Sequence, residues 1–359
     1  MGIRGGTLAL STNHQKSRSD QAFARDQVVQ VLALDGGGLK GLFSAAVIES
    51  LEEQLGHPLP DHFDIICGTS TGGLIALALG IGKSGSEIVD FYRDDGPTIF
   101  PNRGIRRVLG YCRSWLWSKY SSRTLKATLK RLFANEGTGD ELLLRDSRKR
   151  LIIPTLYAAS SQPRLLKTPH DRRYRLDWKL PLWAVAMATA AAPTFLPSFR
   201  FRGNTYLDGG LWANNPSLVG VVEALEMGAQ LENIRVLNIS TTSSTSDCLA
   251  FKAPLVRLKI SAARLGKLPW ASRILPLVMQ ANSYSTTHMY LKQMLAPGNL
   301  AAIDERMNEG HAALDDINYE EFYTRGRSAG EQAFAGLSEY FEHFAADYTP
   351  SREALADGS

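Results

Sequence analysis

Cysteine is scarce: Cys67, Cys112 and Cys248 are odd in number, far apart, and include no CxxC pair. That excludes a zinc ribbon and a disulfide scaffold, and favours a reducing compartment. Long apolar runs are missing too. The most apolar stretch, residues 72–82, is about half of the ~18 residues a bilayer-spanning helix needs, and reads as a buried helix. Residues 1–27 carry Arg4, Lys16, Arg18 and Arg25 among polar neighbours but lack the apolar centre of a secretory leader, so a poorly ordered tail and a cytoplasmic protein are expected. Acidic residues are absent from 96–135 and from 248–303, and no internal repeat occurs. The remainder is ordinary: 359 residues, 44% hydrophobic, 21% charged and a net charge of +4. A globular chain with a sizeable core fits these values; a disordered or collagen-like chain does not.

Two strand–glycine turn–helix units follow each other near the N-terminus. Residues 28–34 form a short apolar run ending at Asp35-Gly36-Gly37-Gly38. Phe43, Val47, Leu51 and Leu55 then recur at helical spacing, with Gly56 as the stop. Residues 63–67 read as a second buried strand, broken at Gly68 and followed by the apolar helix. This is the pattern of a parallel sheet with crossover helices. Further on, Ser84 and Glu87 form a capping box, residues 122–133 a helix, 151–158 a strand, and 181–192 an alanine-rich helix. Gly203-Asn204 signals a hairpin between 199–202 and 205–207; Asn215-Pro216 opens a helix to Met227; 234–240 is a strand. The rest is expected to be mainly helical, with a stripe of Phe334, Leu337, Phe341 and Phe344.

Three clusters carry chemistry. Gly68-Thr69-Ser70-Thr71-Gly72 is a G-x-S-x-G between strand and helix, where a sharp turn exposes the serine beside the positive end of a helix. A glycine-rich turn with an incidental serine is the plain alternative. Asp35-Gly36-Gly37-Gly38-Leu39-Lys40-Gly41 leaves successive backbone amides uncovered, which suits an oxyanion hole. It also matches a dinucleotide fingerprint at Gly36, Gly38 and Gly41, with Asp61 about twenty residues on. A kinase-type phosphate loop fails because no Ser or Thr follows Lys40. Asp208-Gly209-Gly210 places an aspartate at a strand end, as a base or in an ordinary turn.

A serine hydroxyl needs a base. A Ser–His–Asp triad would draw on His288 or His311, neither of which sits at a glycine-flanked strand end, so an Asp208–Ser70 dyad fits better. A dinucleotide-binding oxidoreductase and a catalytically silent nucleotide-binding scaffold remain as competing classes. The first leaves Ser70 unexplained, and the intact Ser70 and Asp208 argue against the second.

Taken in order and context, these three motifs resemble the patatin-like phospholipase family. Ala190-Ala-Ala-Pro193-Thr-Phe195 and the run from Leu207 to Pro216 are similar to it as well, so the resemblance covers about 28–240. It implies a three-layer α/β/α fold with a central, mostly parallel sheet and hydrolysis of acyl esters in lipids. Ser70 becomes the nucleophile, Asp208 its base, and the amides of Gly36, Gly37 and Gly38 the oxyanion hole. Lys40 stands where arginine is common in the family, and Gly210 where alanine is often seen. Lys40, Gly41, Gly68, Gly72, Gly209 and Gly210 support the motifs. Neither a metal nor a chemical cofactor is implied.

Phe91-Tyr-Arg-Asp-Asp-Gly-Pro and Ile99-Phe-Pro101, with the chain's size and C-terminal extension, resemble the bacterial patatin-like effectors of cyclic-oligonucleotide (CBASS) anti-phage signalling. This narrower resemblance implies a cyclic dinucleotide such as cyclic GMP–AMP as activator, membrane phospholipids as substrate, action at the inner membrane, and a homo-oligomer on activation. An unregulated lipid acyl hydrolase is the alternative. The expected organisation is a tail at 1–27, a catalytic domain at 28–245, a mainly helical extension at 246–345 and a C-terminal tail at 346–359.

The acid-free stretches bear on partners. Residues 96–135 interleave nine Lys and Arg residues with Tyr111, Trp115, Trp117 and Tyr120, which suits an anionic lipid interface. Residues 248–303 carry Lys252, Arg257, Lys259, Arg264, Lys267, Arg273 and Lys292, suited to phosphates, headgroups or an acidic partner. A solvated face is the plain alternative for each, and the interleaved tryptophans weigh against it for the first stretch. No motif for reading a nucleic-acid polymer occurs.

Overall fold

The computed structural model describes residues 22–99, 120–244, 274–307 and 318–356. Its main sheet comprises β1 (Val29–Leu34), β2 (Ile65–Gly68), β3 (Arg150–Tyr157), β4 (Gln162–Lys167), β5 (Phe199–Phe201), β6 (Asn204–Asp208), β7 (Ile234–Ile239) and β8 (Leu300–Ile303). The helices that position the site are α1 (Gly41–Leu55), α2 (Thr71–Gly80), α3 (Gly85–Ile99), α4 (Ser122–Leu132), α5 (Leu182–Thr189), α6 (Gly210–Ala213), α7 (Ser217–Glu226), α8 (Ile274–Tyr284) and α9 (Tyr319–Phe334).

Strand order is β5-β6-β3-β2-β1-β7-β8, with β4 paired to β3; β3, β2, β1, β7 and β8 run parallel. Successive side chains of a strand point to opposite faces, and both faces here are covered. Leu32 and Leu34 therefore join the core beneath α1, α2, α3, α4, α5 and α9. Val29 and Val31 join a second core with Val221 and Ala224 of α7, Leu291 and Leu295. The result is three layers, α/β/α.

Local signals explain most boundaries. Gly56 caps α1 at φ 74°, a conformation that costs other residues strain. The Ser84 and Glu87 side chains exchange hydrogen bonds with each other's backbone amides at the start of α3. The hairpin turn falls one residue earlier than expected. Arg202 and Gly203 take positive φ (46° and 81°), and Asn204 pairs with Phe201 as the first residue of β6. A two-residue turn needs left-handed backbone at both positions to match strand twist. The alanine-rich helix also stops earlier, at Thr189.

The C-terminal third is mainly helical among its described residues, as expected, but does more than extend the fold. The region read as a mainly helical extension supplies β8, which extends the sheet beyond β7, and α9, which lies across α1. Gly326 and Gly330 allow that approach, since a Cβ at Gly326 would lie 2.5 Å from the Phe43 carbonyl oxygen. The expected tails are partly packed as well. Phe23 is buried in the second core and donates its amide to Met227. Tyr348, Ser351 and Ala354 are buried, with Tyr348 edge-on to His170 and the Ser351 amide donated to Pro169. The Arg150 guanidinium lies over the Tyr348 ring, and a short helix runs over 352–356, so part of the expected C-terminal tail is packed. Residues 1–21, 100–119, 245–273, 308–317 and 357–359 lie outside the described residues, and with them His311, Cys112, Cys248, the Trp115–Trp117 cluster and much of the basic stretches.

Candidate active site

β2 ends at Gly68 and α2 begins at Thr71, so Thr69 and Ser70 make the whole reversal. Ser70 takes φ 53° and ψ −120°, a strained conformation for a residue with a side chain. Two bonds hold it: the Ser70 amide donates to Thr189 Oγ1 at 2.9 Å, and Thr69 Oγ1 donates to the Ala213 carbonyl at 2.6 Å. The flanking glycines are dictated by close approach. A Cβ at Gly72 would lie 2.2 Å from the Leu34 carbonyl oxygen, and one at Gly68 would lie 2.2 Å from that of Gly72. The G-x-S-x-G spacing is thus the footprint of α2 starting hard against β1 and β2.

Sheet register brings Asp208 to this turn. Ile152 of β3 pairs with β2 on one side and β4 on the other, while Thr155 pairs with β6 and β4. β2 and β6 therefore share one edge of β3. β2 runs parallel to β3 and β6 antiparallel, so their C-terminal ends, Gly68 and Asp208, point toward each other along that edge.

Asp208 is buried, and its Oδ1 accepts the Gly210 amide at 2.7 Å. Oδ2 is buried without a hydrogen bond of ordinary geometry. Burial pushes the carboxyl up to about 6, held back by the Gly210 amide and by the Ser70 side chain. The Ser70 side chain is thus within reach of this carboxyl group. Thr189 was not legible as a site residue. Its hydroxyl also donates to Pro154 at 2.6 Å, its carbonyl accepts the Gly209 amide, and Ala191 accepts that of Asp208. The end of α5 thus clasps both strand ends. A lone polar residue between Met187-Ala188 and Ala190-Ala191-Ala192 was the available signal.

The glycine loop needs one correction. The Gly36 amide donates to the Asn214 carbonyl at 3.0 Å, so it is not available to an oxyanion. Among the described residues no hydrogen bond takes up the amides of Gly37 and Gly38, and Gly38 turns at φ 63°. Gly38 and Ser70 line one pocket. Asp35 is an anchor: burial pushes its carboxyl up to about 8, and Asn238 Nδ2 donates to it at 2.7 Å. Asn238 accepts from Asn215, which also donates to Thr287, while Asn214 donates to Ser283 and to the Gly36 carbonyl. Lys40 is buried behind the loop, and Gly41 leaves room for Thr71 and Tyr92, whose hydroxyls are hydrogen-bonded.

The pocket is otherwise apolar, with Leu74, Phe91, Ile99, Leu125 and Leu196 as its main lining. Among the described residues no histidine ring contacts Ser70. His57, His62 and His343 cluster near Phe344 and Asp64, and His170 bonds Glu223 and Thr168. His288 falls in the helical segment 285–291. The dinucleotide reading fails on topology. Asp61 precedes β2, at the opposite end of the sheet from Gly36–Gly38, whereas a ribose-binding carboxylate must follow its strand.

A serine on a strand–helix elbow, a buried aspartate facing it, paired free amides and an apolar pocket define a serine-type ester hydrolase site. The chain belongs to the patatin-like phospholipase family, whose match spans residues 32–243. A cGAMP-activated phospholipase of Pseudomonas aeruginosa (strain BWHPSA011 / Pa011) is 34% identical over 84% of this chain and 88% of its own length. One of Vibrio cholerae is 29% identical over 92% of this chain and 94% of its own. The crystal structure of VipD from Legionella pneumophila aligns with 88% of this chain and 67% of that one, at 14% identity and a TM-score of 0.48. Among the described residues no helix is long and apolar enough to cross a membrane.

Proposed function

We propose that this chain is a phospholipase that cleaves acyl esters of membrane phospholipids through a Ser70–Asp208 dyad and is switched on by a cyclic dinucleotide. The carrying observation is the facing pair of strand ends, which brings the buried Asp208, its Oδ2 unpartnered, to the Ser70 turn. In the reaction, Ser70 Oγ attacks the ester carbonyl carbon as its proton passes to Asp208. The oxyanion that forms accepts hydrogen bonds from the Gly37 and Gly38 amides, while the positive end of α2 favours its charge. Collapse breaks the carbon–oxygen bond, and the proton on Asp208 goes to the leaving alcohol. Water then attacks the acyl–serine ester, giving its proton to Asp208; collapse returns a proton to Ser70 and releases the fatty acid. A carboxylate with its pKa near 6 is ionised at neutral pH, yet more basic than an exposed one. The acyl chain is assigned to the pocket lined by Leu74, Phe91, Ile99, Leu125 and Leu196.

Activation by cGAMP is carried over from relatives whose names state it and which match over most of their length. The acid-free stretches supply the cations two phosphates require. A host-membrane phospholipase also needs restraint. The proposed setting is cytoplasmic, with peripheral action on the inner membrane, oligomerisation on activation and a role in anti-phage defence. The test is fatty-acid release from phospholipid vesicles with and without cGAMP, alongside labelling by a fluorophosphonate. Labelling at Ser70 with cGAMP-dependent release is expected. Full release without nucleotide would remove the activation and leave the hydrolase.

A further inference from the structure

Six of the large apolar side chains that the described residues leave exposed, Ile274, Val278, Tyr284, Met289, Tyr290 and Met294, fall in one segment of α8 and its continuation to 294. Neighbouring positions of the same segment are also apolar and are already packed. Leu275 and Met279 contact Ala192 beside the catalytic turn, and Leu291 and Leu295 enter the second core. A helix with exposed as well as packed apolar side chains belongs between two apolar layers, and among the described residues only one is present. The packed face borders the site. Ala192 and Phe195 line the pocket and touch this cluster, Met279 lies against Gly210, and Asn282 and Ser283 bond Asn215 and Asn214.

Charge selects the occupant. From 274 to 294 there is no Asp or Glu, Lys292 is exposed, and the chain arrives through Arg273 from a stretch that is acid-free from Cys248. Apolar side chains bordered by cations and no acids match the interface of a bilayer with anionic headgroups. We infer that the outer face of residues 274–294 is a membrane-docking surface, which seats the pocket beside Ser70 against a bilayer containing anionic phospholipid. This rests on the phospholipase reading above and adds the surface by which the enzyme meets its substrate.

The test uses the full chain with cGAMP, in a Ser70→Ala background so that vesicles are not consumed. Co-sedimentation with phosphatidylcholine vesicles containing phosphatidylglycerol should exceed that with phosphatidylcholine alone. Val278→Glu, Met289→Glu and Tyr290→Glu together should weaken it by about tenfold or more. Leu176→Glu, at an exposed apolar residue elsewhere, should leave it unchanged. Gln in place of Glu at the three positions, with thermal melting like that of the parent, should weaken it less. With Ser70 restored, the triple variant should hydrolyse a soluble short-chain nitrophenyl ester within about twofold of the parent enzyme, on the tenfold-per-1.4 kcal/mol scale. Vesicle binding unchanged in the triple variant overturns the inference, as does a loss of self-association in light scattering with vesicle binding intact, which would assign the face to a second copy. Failure of the parent enzyme on both esters and vesicles would strike the phospholipase reading instead, since sedimentation does not depend on it.

Discussion

Asp208 keeps a carboxylate buried at a cost. Its carboxyl is raised to about 6 from an ordinary value near 3.8, so between those values the folded chain binds a proton that the unfolded chain does not. Stability contributed by this residue therefore falls as pH rises from about 4 to about 6, and the penalty is complete above that, at about 3 kcal/mol. Asp208→Asn retains an acceptor for the Gly210 amide and removes the charge. Thermal melts at pH 7.5 should show this variant more stable than the parent, and the difference should shrink toward pH 4. The same carboxylate must be ionised to accept the Ser70 proton, so kcat/KM should fall on the acidic side with an apparent pKa near 6. An acidic limb near 4, or a limb that follows a histidine variant, would place the base elsewhere.

At the scale of elements, the catalytic pair is held by the end of α5. Thr189 accepts the Ser70 amide, donates to the Pro154 carbonyl and accepts the Gly209 amide, so it acts through the turn. Thr189→Val should lower kcat about 10–100-fold with little change in KM, Thr189→Ser should restore most of it, and the acidic limb should stay near 6. A shift of that limb would mean Thr189 tunes Asp208 as well. The elbow, the glycine loop and the Asp208 strand end were legible because each motif records a local constraint: a crowded approach at Gly68 and Gly72, left-handed backbone at Gly38. Thr189 and Asn238 were not, and Asn214 and Asn215 entered only through the run to Pro216, because their partners are fixed only once β6, β7 and α8 assemble. The Gly36 amide failed as an oxyanion donor for the same reason, since Asn214 reaches it from across the fold.

For the whole molecule, the strand–glycine turn–helix units pointed to a parallel sheet with crossover helices and the family resemblance implied three layers, but neither showed which distant segments complete the fold. β8 and α9 carry no motif, and their pairing with β7 and α1 is a matter of surfaces that fit. Residues 346–359 read as a C-terminal tail, yet Tyr348 and Ala354 are buried, and the Tyr348 amide donates to Arg148 just before β3. Ending the chain after 345 should lower stability by about 2–4 kcal/mol in denaturant titration while leaving the position of the acidic limb unchanged. Unchanged stability would return the segment to a tail. The central claim is that Ser70 and Asp208 act as one catalytic unit on phospholipid. Its most direct measurement is fatty-acid release from anionic phospholipid vesicles with cGAMP present, compared among the parent, Ser70→Ala, Asp208→Asn and the double variant. Each single variant should fall by about 10²–10⁴-fold or more, and the double variant should be no worse than either. Asp208→Asn retaining activity within about tenfold of the parent, or losses that multiply in the double variant, would contradict it.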